Sequence, residues 1–340
     1  MKVLVTGGTG FTGSHSVRAL LGAGHAVRLL VRDVTKLRRV YEPLGIEIHD
    51  FVVGDMTDAS AVEMALAGCD GVVHSAALVD LRRSAARSVE ETNARGVELV
   101  VGGAVRRGLP SIVYVSSLSI FFVPGGPPVA PDLPIAPGTT AYARSKAAAE
   151  ETVRRLQDGG APIRICYPAG IIGPDDPGMS DANHAVYTFF RDFGVDTSGY
   201  FQVVDVRDVA ALHVKLLELP SGPHRYAAAG DPLRWREVYD LLDRLTGERL
   251  RRIRVSGAVM RAAGSVGDVV KRVWEFNFPL TRDSMEFATR WPGADASRTT
   301  RELGFAFRSA EESYRDTLRW MHRAGHLSAR QLGRLPKPDA

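Results

Sequence analysis

The sequence predicts an α/β fold: a doubly wound parallel sheet with a smaller, mostly helical second unit. Two patterns carry this prediction. Through the first half of the chain, short β-branched runs alternate with segments of helical spacing. Such alternation implies parallel strands joined by right-handed crossovers, with helices on both faces. Runs such as Val3-Leu4-Val5 and Ile112-Val113-Tyr114-Val115 are apolar without alternating, as strands covered on both faces are.

In chain order, strands are expected at Lys2–Thr6, Ala26–Val31, Glu47–Val53, Gly71–Ser75, Ser111–Ser116 and Pro162–Tyr167. The first intervening helix reads Ser14–Leu21, with Val17, Leu20 and Leu21 on one face and Gly22 and Gly24 closing it. Another reads Ala59–Ala67, where Val62, Met64 and Leu66 lie between polar positions. Nine residues from 124 to 138 are Pro or Gly, which excludes a helix or central strand there. After Gly170 the alternation fades. Val203–Val206 reads as one more strand and Asp208–Leu219 as one more helix. The remainder is mostly helical, ending in Glu311–Arg323, with Tyr314, Leu318 and Met321 at helical spacing. The expected units are a dinucleotide-binding domain over 1–169, to which 203–219 returns, and a substrate domain over 170–202 and 220–330.

Composition narrows the function. At 340 residues the chain suits a large unit plus a smaller one, and 45% hydrophobic against 24% charged residues supply a core. The net charge of +4 comes from 43 basic and 39 acidic residues, interspersed rather than gathered in the basic stripe of a nucleic-acid binder. Neither Cys69 nor Cys166 sits in a CxxC or Cys/His cluster, so no metal site is expected. A strand begins at once, with no secretory leader before it, and no apolar run reaches the ~18 residues that span a bilayer. The expected setting is cytoplasmic, with a small-molecule substrate and neither nucleic acid nor membrane as partner.

The first strand runs into Thr6-Gly7-Gly8-Thr9-Gly10-Phe11-Thr12-Gly13, which opens a helix. Glycines at 7, 10 and 13 suit a tight turn, close backbone approach to a pyrophosphate, and close helix–strand packing. The helix N-terminus then offers free N–H groups to the anion. This makes the sheet Rossmann-type, with Gly7, Thr9, Gly10, Phe11, Thr12 and Gly13 as cofactor-binding candidates. At the end of the second strand, where NAD enzymes carry an acid for the ribose, stands Val31 followed by Arg32. An arginine there suits a 2′-phosphate, with Lys36 and Arg38 close by, so NADP(H) is the expected cofactor. The alternative is that Arg32 is merely solvated and Asp33 binds the ribose. Asp55 is placed to accept from an adenine amine and Met56 to pack on its ring, unless Gly54–Asp58 is only a helix cap. Ala76 and Ala77 let backbone lie against the cofactor, and His74 reads as a satisfied buried side chain.

Tyr142 and Lys146 are four apart and share a helical face. A neighbouring ammonium lowers the pKa of a phenol from its usual ~10 and makes it a usable proton donor or acceptor. Ser116-Ser117, at the end of the fifth strand, adds a hydroxyl that can bond a substrate oxygen.

With these landmarks, the chain resembles the extended short-chain dehydrogenases/reductases of the epimerase/dehydratase superfamily, over nearly its whole length. The further matches are Thr92-Asn93-Ala94-Arg95-Gly96, Tyr167-Pro168, Asp205-Val206-Arg207-Asp208-Val209-Ala210 and Glu302-Leu303-Gly304-Phe305. The resemblance implies that Ser117 is the catalytic serine beside Tyr142 and Lys146. It implies too that Lys146 holds the nicotinamide ribose and that Pro168, Ala169 and Ile171 lie beside the nicotinamide. The Val-Arg-Asp at 31–33 is similar to dihydroflavonol 4-reductase-like members, which use NADP(H). Many relatives pair as homodimers through two helices.

Two departures bear on the substrate. Tyr167 stands where the family often has Arg, and Leu118, Ile120, Phe121 and Phe122 follow Ser117 where sugar-nucleotide members carry polar groups. Tyr187, Phe189, Phe190, Tyr200, Phe201, Trp274, Phe276 and Phe278 enrich the second half in aromatics, as either cleft or core. The expected cleft walls are 118–122 and 179–201, the second holding Arg191 as its only basic residue. The expected function is an NADP(H)-dependent carbonyl reductase or alcohol dehydrogenase for an apolar small molecule. The alternatives are a sugar-nucleotide epimerase/dehydratase and a non-catalytic NADP sensor.

Overall fold

A computed structural model describes residues 1–78, 86–138, 141–220, 222–270 and 280–335, with the backbone alone at Ala86, Ala141 and Tyr142. Trp274, Phe276 and Phe278 therefore lie outside the described residues.

Seven parallel strands form the main sheet: β1 Lys2–Thr6, β2 Ala26–Val31, β3 Phe51–Val53, β4 Gly71–His74, β5 Ser111–Val115, β6 Ile163–Pro168 and β10 His224–Ala228. Their order is β10-β6-β5-β4-β1-β2-β3. The central strands β1, β4 and β5 are almost wholly buried, which explains their unbroken apolar text. Helices α3 (Ala59–Leu66), α4 (Ala86–Arg106) and α5 (Ala141–Asp158) cover one face, where Val62, Val97, Val100, Val101 and Val153 meet Ile112, Tyr114 and Ile163. On the other face lie α1 (Phe11–Gly22), α2 (Val34–Tyr41) and α7 (Val206–Leu217). There Val17, Leu20, Leu37, Leu212 and Leu216 meet Val3, Val5 and Val113. The sheet is thus doubly wound, as the sequence predicts.

The second unit holds a three-stranded sheet, order β11-β9-β7, from β7 (Gly170–Ile172), β9 (Tyr200–Asp205) and β11 (Pro232–Arg234). A two-stranded pair joins β8 (Gly194–Asp196) to β12 (Arg252–Arg254). Around them pack α6 (Asp181–Arg191), α8 (Trp235–Thr246), α9 (Gly257–Val270), α10 (Arg282–Arg290), α12 (Ala310–Arg323) and α13 (Ala329–Leu332), while α11 (Ser297–Leu303) packs on β10 of the main sheet.

Four expectations are corrected. Only 51–53 of the expected Glu47–Val53 strand joins the ladder, because Ile46 and Ile48 alternate for packing and not for pairing. Leu21 is 36% exposed, whereas Val17 and Leu20 are buried. The strand read at Val203–Val206 belongs to the small sheet beside β7, and of 203–219 only α7 returns to the main sheet. Conversely, His224–Ala228, read with the substrate domain, pairs with β6 as the edge strand of the main sheet. Its sequence, His-Arg-Tyr-Ala-Ala, has no β-branched residue to announce it.

Candidate active site and cofactor cradle

The glycine loop links β1 to α1 at the carboxyl edge of the sheet. Gly7 has φ +73°, and a Cβ on it would lie 2.8 Å from the Ala76 amide nitrogen. A Cβ on Gly13 would fall 2.1 Å from the Gly7 carbonyl oxygen. The loop is closed by Gly10 N–H donating to Gly7 O at 2.9 Å, and Tyr41 Oη donates to Gly8 O at 2.5 Å. Gly10 caps α1 without a side-chain hydrogen bond, and the first turn carries no acid. An uncapped helix end of this kind is fitted to a phosphate. Of the loop candidates, Phe11 is buried edge-on to His15, so only its backbone faces the loop. Thr9 and Thr12 are half-buried.

At the next strand end, Val31 is buried and Arg32 is exposed, its side chain 75% accessible. Its ion-pair contact among the described residues is Asp55, at 3.6 Å. Asp33 is occupied otherwise: its Oδ1 accepts from Thr35 N–H and Lys36 N–H and so caps α2. Lys36 is exposed in the first turn of that helix. Asp55 Oδ1 accepts from Thr57 N–H at 2.9 Å and from its hydroxyl at 2.7 Å. The cap of α3 is Asp58. Met56 is laid over α4 where Gly96 leaves room, since a Cβ there would lie 2.8 Å from the sulfur.

Ala76 and Ala77 follow β4 in a half-buried loop that Asn93 holds from below. Asn93 Oδ1 accepts from Leu78 N–H at 2.7 Å, while Nδ2 donates to Leu78 O at 3.0 Å and to Ser145 Oγ at 2.9 Å. One buried amide thus ties the cofactor-side loop to the helix of the Tyr–Lys pair. In the sequence Asn93 was legible only as a landmark; its role depends on partners 15 and 52 residues away. His74 is the satisfied core side chain expected: its Nδ1 lies 2.7 Å from Thr6 Oγ1, and its ring stacks on Tyr114. Burial, with Lys146 adding to it, holds its pKa down at about 3.

The strand register sets the rest. Val115 pairs with Cys166 and Ser116 N–H donates to Cys166 O, so Ser117 stands level with Pro168 across the ends of β5 and β6. Ser116 is buried, whereas Ser117 is half-buried, and its Oγ shares a 2.9 Å hydrogen bond with Ser119 Oγ. Lys146 is buried in α5, its Nζ donating to Val115 O at 3.1 Å and lying 5.8 Å from the Tyr114 ring centre. Burial pushes its pKa down to about 8, against the pull of Glu150. Tyr142 begins α5 one turn earlier; its side chain lies outside the described residues. Ala169 N–H is fixed to Ala228 O at 2.9 Å, and Ile171 lies in β7, half-buried.

The expected cleft walls are corrected. Leu118, Ile120, Phe121 and Phe122 are 0–2% exposed in the main core. Phe121 packs on Tyr167, and Phe122 on Phe287 and Trp291. Phe189 and Phe201 likewise belong to an aromatic core with Trp235. An apolar run is buried more cheaply than exposed, so here it became core. Arg191 stands not at a cleft wall with these residues but on the surface, paired with Asp192. With Arg249, Arg251 and Arg330, all distant in sequence, it lines a surface groove of roughly 230 Å³.

This geometry defines a nucleotide-cradling α/β protein with a buried lysine at the carboxyl edge of its sheet. The chain belongs to the NAD dependent epimerase/dehydratase family, whose model matches residues 3–229. It is 28% identical to sterol demethylase protein B of Methylococcus capsulatus, over 96% of this chain and 100% of that protein. It is 27% identical to a protein of Synechocystis provisionally named as a dihydroflavonol 4-reductase, over 95% of both chains. Among solved structures, that of gox2253 shares the fold, with TM-score 0.82 and 24% identity over 96% of this chain and 99% of that one. The family and fold expected from the residues are therefore those found, and the family binds a nicotinamide dinucleotide.

Proposed function

We propose that the protein is an NADP(H)-dependent oxidoreductase that interconverts a carbonyl and an alcohol on an apolar small molecule. The observation that carries the reading is Lys146, a buried ammonium one helical turn from Tyr142 and tied to Val115 at the end of β5, two residues before Ser117. The uncapped α1 N-terminus and the backbone of Gly7, Gly10 and Gly13 fit the pyrophosphate. Ala76, Ala77, Asp55 and Met56 would border the adenosine half, and Pro168, Ala169 and Ile171 the nicotinamide. Arg32, exposed and loosely paired, would grip the 2′-phosphate with Lys36 beside it. When bound, this cofactor supplies or takes up the hydride. Ser117 would hold the substrate oxygen through its hydroxyl. Tyr142 would give or take the proton at its phenol oxygen. Lys146 would hold the ribose and favour phenolate through its charge.

The sterol named for the first relative supports an apolar substrate. The family's epimerases make a nucleotide sugar the second reading, served by the same three residues. A homodimer in the cytoplasm, without metal, completes the proposal. The test is consumption of NADPH, with NADH as control, across hydrophobic ketones and aldehydes. Turnover of a ketone with NADPH is the expected result. Micromolar binding of a UDP-sugar to the NADP-loaded protein, with no ketone turned over, would overturn it.

A further inference from the structure

Twelve large hydrophobic side chains are exposed among the described residues; six of them are Phe193 and Ile253, at the strand pair β8–β12, and Val259, Val266, Val269 and Val270. The last four belong to α9, whose polarity is inverted. At 100° per residue, Val259, Ala262, Val266, Val269 and Val270 share one face, and Gly257, Arg261, Gly264 and Asp268 the opposite one. The charged face is turned inward. Arg261 Nη1 donates to Thr289 Oγ1 at 2.9 Å, and Asp268 accepts from Arg282 N–H at 3.0 Å, both at α10. Gly264 and Gly267 seat the helix closely, since a Cβ on either would strike the backbone at Thr281 or Leu280. The valines therefore face solvent with no charged residue among them.

A soluble surface helix has the opposite arrangement. What covers this face is indicated by its border. Arg251 precedes β12 and Arg254 ends it, three residues before α9 begins, and the register of β12 places Gly194, next to Phe193, beside Arg252. Arg249 and Arg251 also line the surface groove with Arg191 and Arg330, where the acids are Asp192, paired with Arg191, and Glu248. Arg249, Arg251, Arg254 and Arg330 are exposed and make no ion pair among the described residues. Apolar side chains framed by unpaired arginines match an acyl interior beneath anionic headgroups. No described helix is long and apolar enough to cross a membrane, so the fit is to a surface and not a span. The helix α9 packs on α10, and Phe287 of α10 contacts Phe122, five residues beyond Ser117.

We infer that the outer face of α9, with the arginines beside β12, docks the protein on an anionic lipid surface. This departs from the expectation of no membrane partner, which rests on the lack of an apolar run long enough to span a bilayer. It rests on the surface alone and needs no substrate assignment. The test is co-sedimentation with vesicles of phosphatidylcholine alone or mixed with phosphatidylglycerol, at low and high salt, beside light scattering for oligomeric mass. The protein should bind the mixed vesicles at least tenfold more tightly than the neutral ones. Val266→Glu with Val269→Glu, and separately Arg251→Ala with Arg254→Ala, should each cut that binding at least tenfold. Melting temperature and oligomeric mass should stay unchanged. Equal binding to both vesicles, no binding to either, or full binding by both variants would overturn the inference. So would loss of a dimer in the glutamate variant without vesicle binding by the parent, which would make the face an interface between copies.

Discussion

At the residue scale, the site depends on a few side chains whose surroundings set their charge. Lys146 is held near a pKa of about 8 because burial disfavours its ammonium. A proton-transferring phenol one turn away makes Tyr142→Phe the sharpest test of the proposed chemistry. Turnover should fall at least ~10²-fold, as for loss of a general acid–base group, while NADPH binding, followed by fluorescence, should persist. Arg32 tests the cofactor choice. Arg32→Ala should weaken NADPH by about 1.5–3 kcal/mol, the range for a charge-assisted hydrogen bond, and leave NADH nearly unchanged in a paired titration. Equal affinity of the parent for the two cofactors would remove the basis for an NADP(H) preference. The alternative ribose ligand, Asp33, is committed to the N-terminus of α2.

At the element scale, the turn between β1 and α1 is the most constrained piece of the site. Gly13→Ala would drive a methyl to within 2.1 Å of the Gly7 carbonyl oxygen, where no flexible side chain can yield. We expect a loss of stability near or above ~3 kcal/mol, the upper range for overpacking, read from a denaturant midpoint shift at constant slope. Elsewhere, motifs that mark the family prove structural. Asp205 caps α7 and pairs with Arg207, which also reaches Asp316 of α12 at 2.8 Å; Asp208 pairs with Arg308. Tyr226 Oη donates to Glu302 at 2.9 Å, tying α11 to the last strand of the main sheet. The Arg207–Asp316 and Asp208–Arg308 pairs hold the second unit against the first.

At the scale of the whole molecule, three histidines are buried and neutral. Burial is the first cause in each case, lowering His15 to about 4 and His74 and His213 to about 3. The unfolded chain, with histidines near 6.5, binds the extra protons first. Their contribution to stability is therefore whole above pH ~6.5 and lost as pH falls toward 3–4. Melting temperature should decline through that window. His213→Asn, at a side chain bonded to Ser16 Oγ, should flatten the decline by about one proton's worth. An unchanged slope would mean that His213 is not neutral in the folded protein.

The sequence alone determined the alternation of strands and helices, the glycine turn, and the Tyr142–Lys146 spacing with its serine. Each is a local pattern, enforced by backbone sterics or helical periodicity within about ten residues, except the serine, which only the resemblance joined to the pair. Only the tertiary structure decided which apolar runs became core. Periodicity cannot tell a residue facing a cleft from one facing a sheet, so Leu118–Phe122 read as a wall and turned out to be buried. Likewise β10 joined the main sheet through pairing with β6, some 60 residues away, with little strand propensity of its own. The same blindness hid α9: its composition is that of a core helix, and only packing against α10 determined that its charges point in and its valines point out.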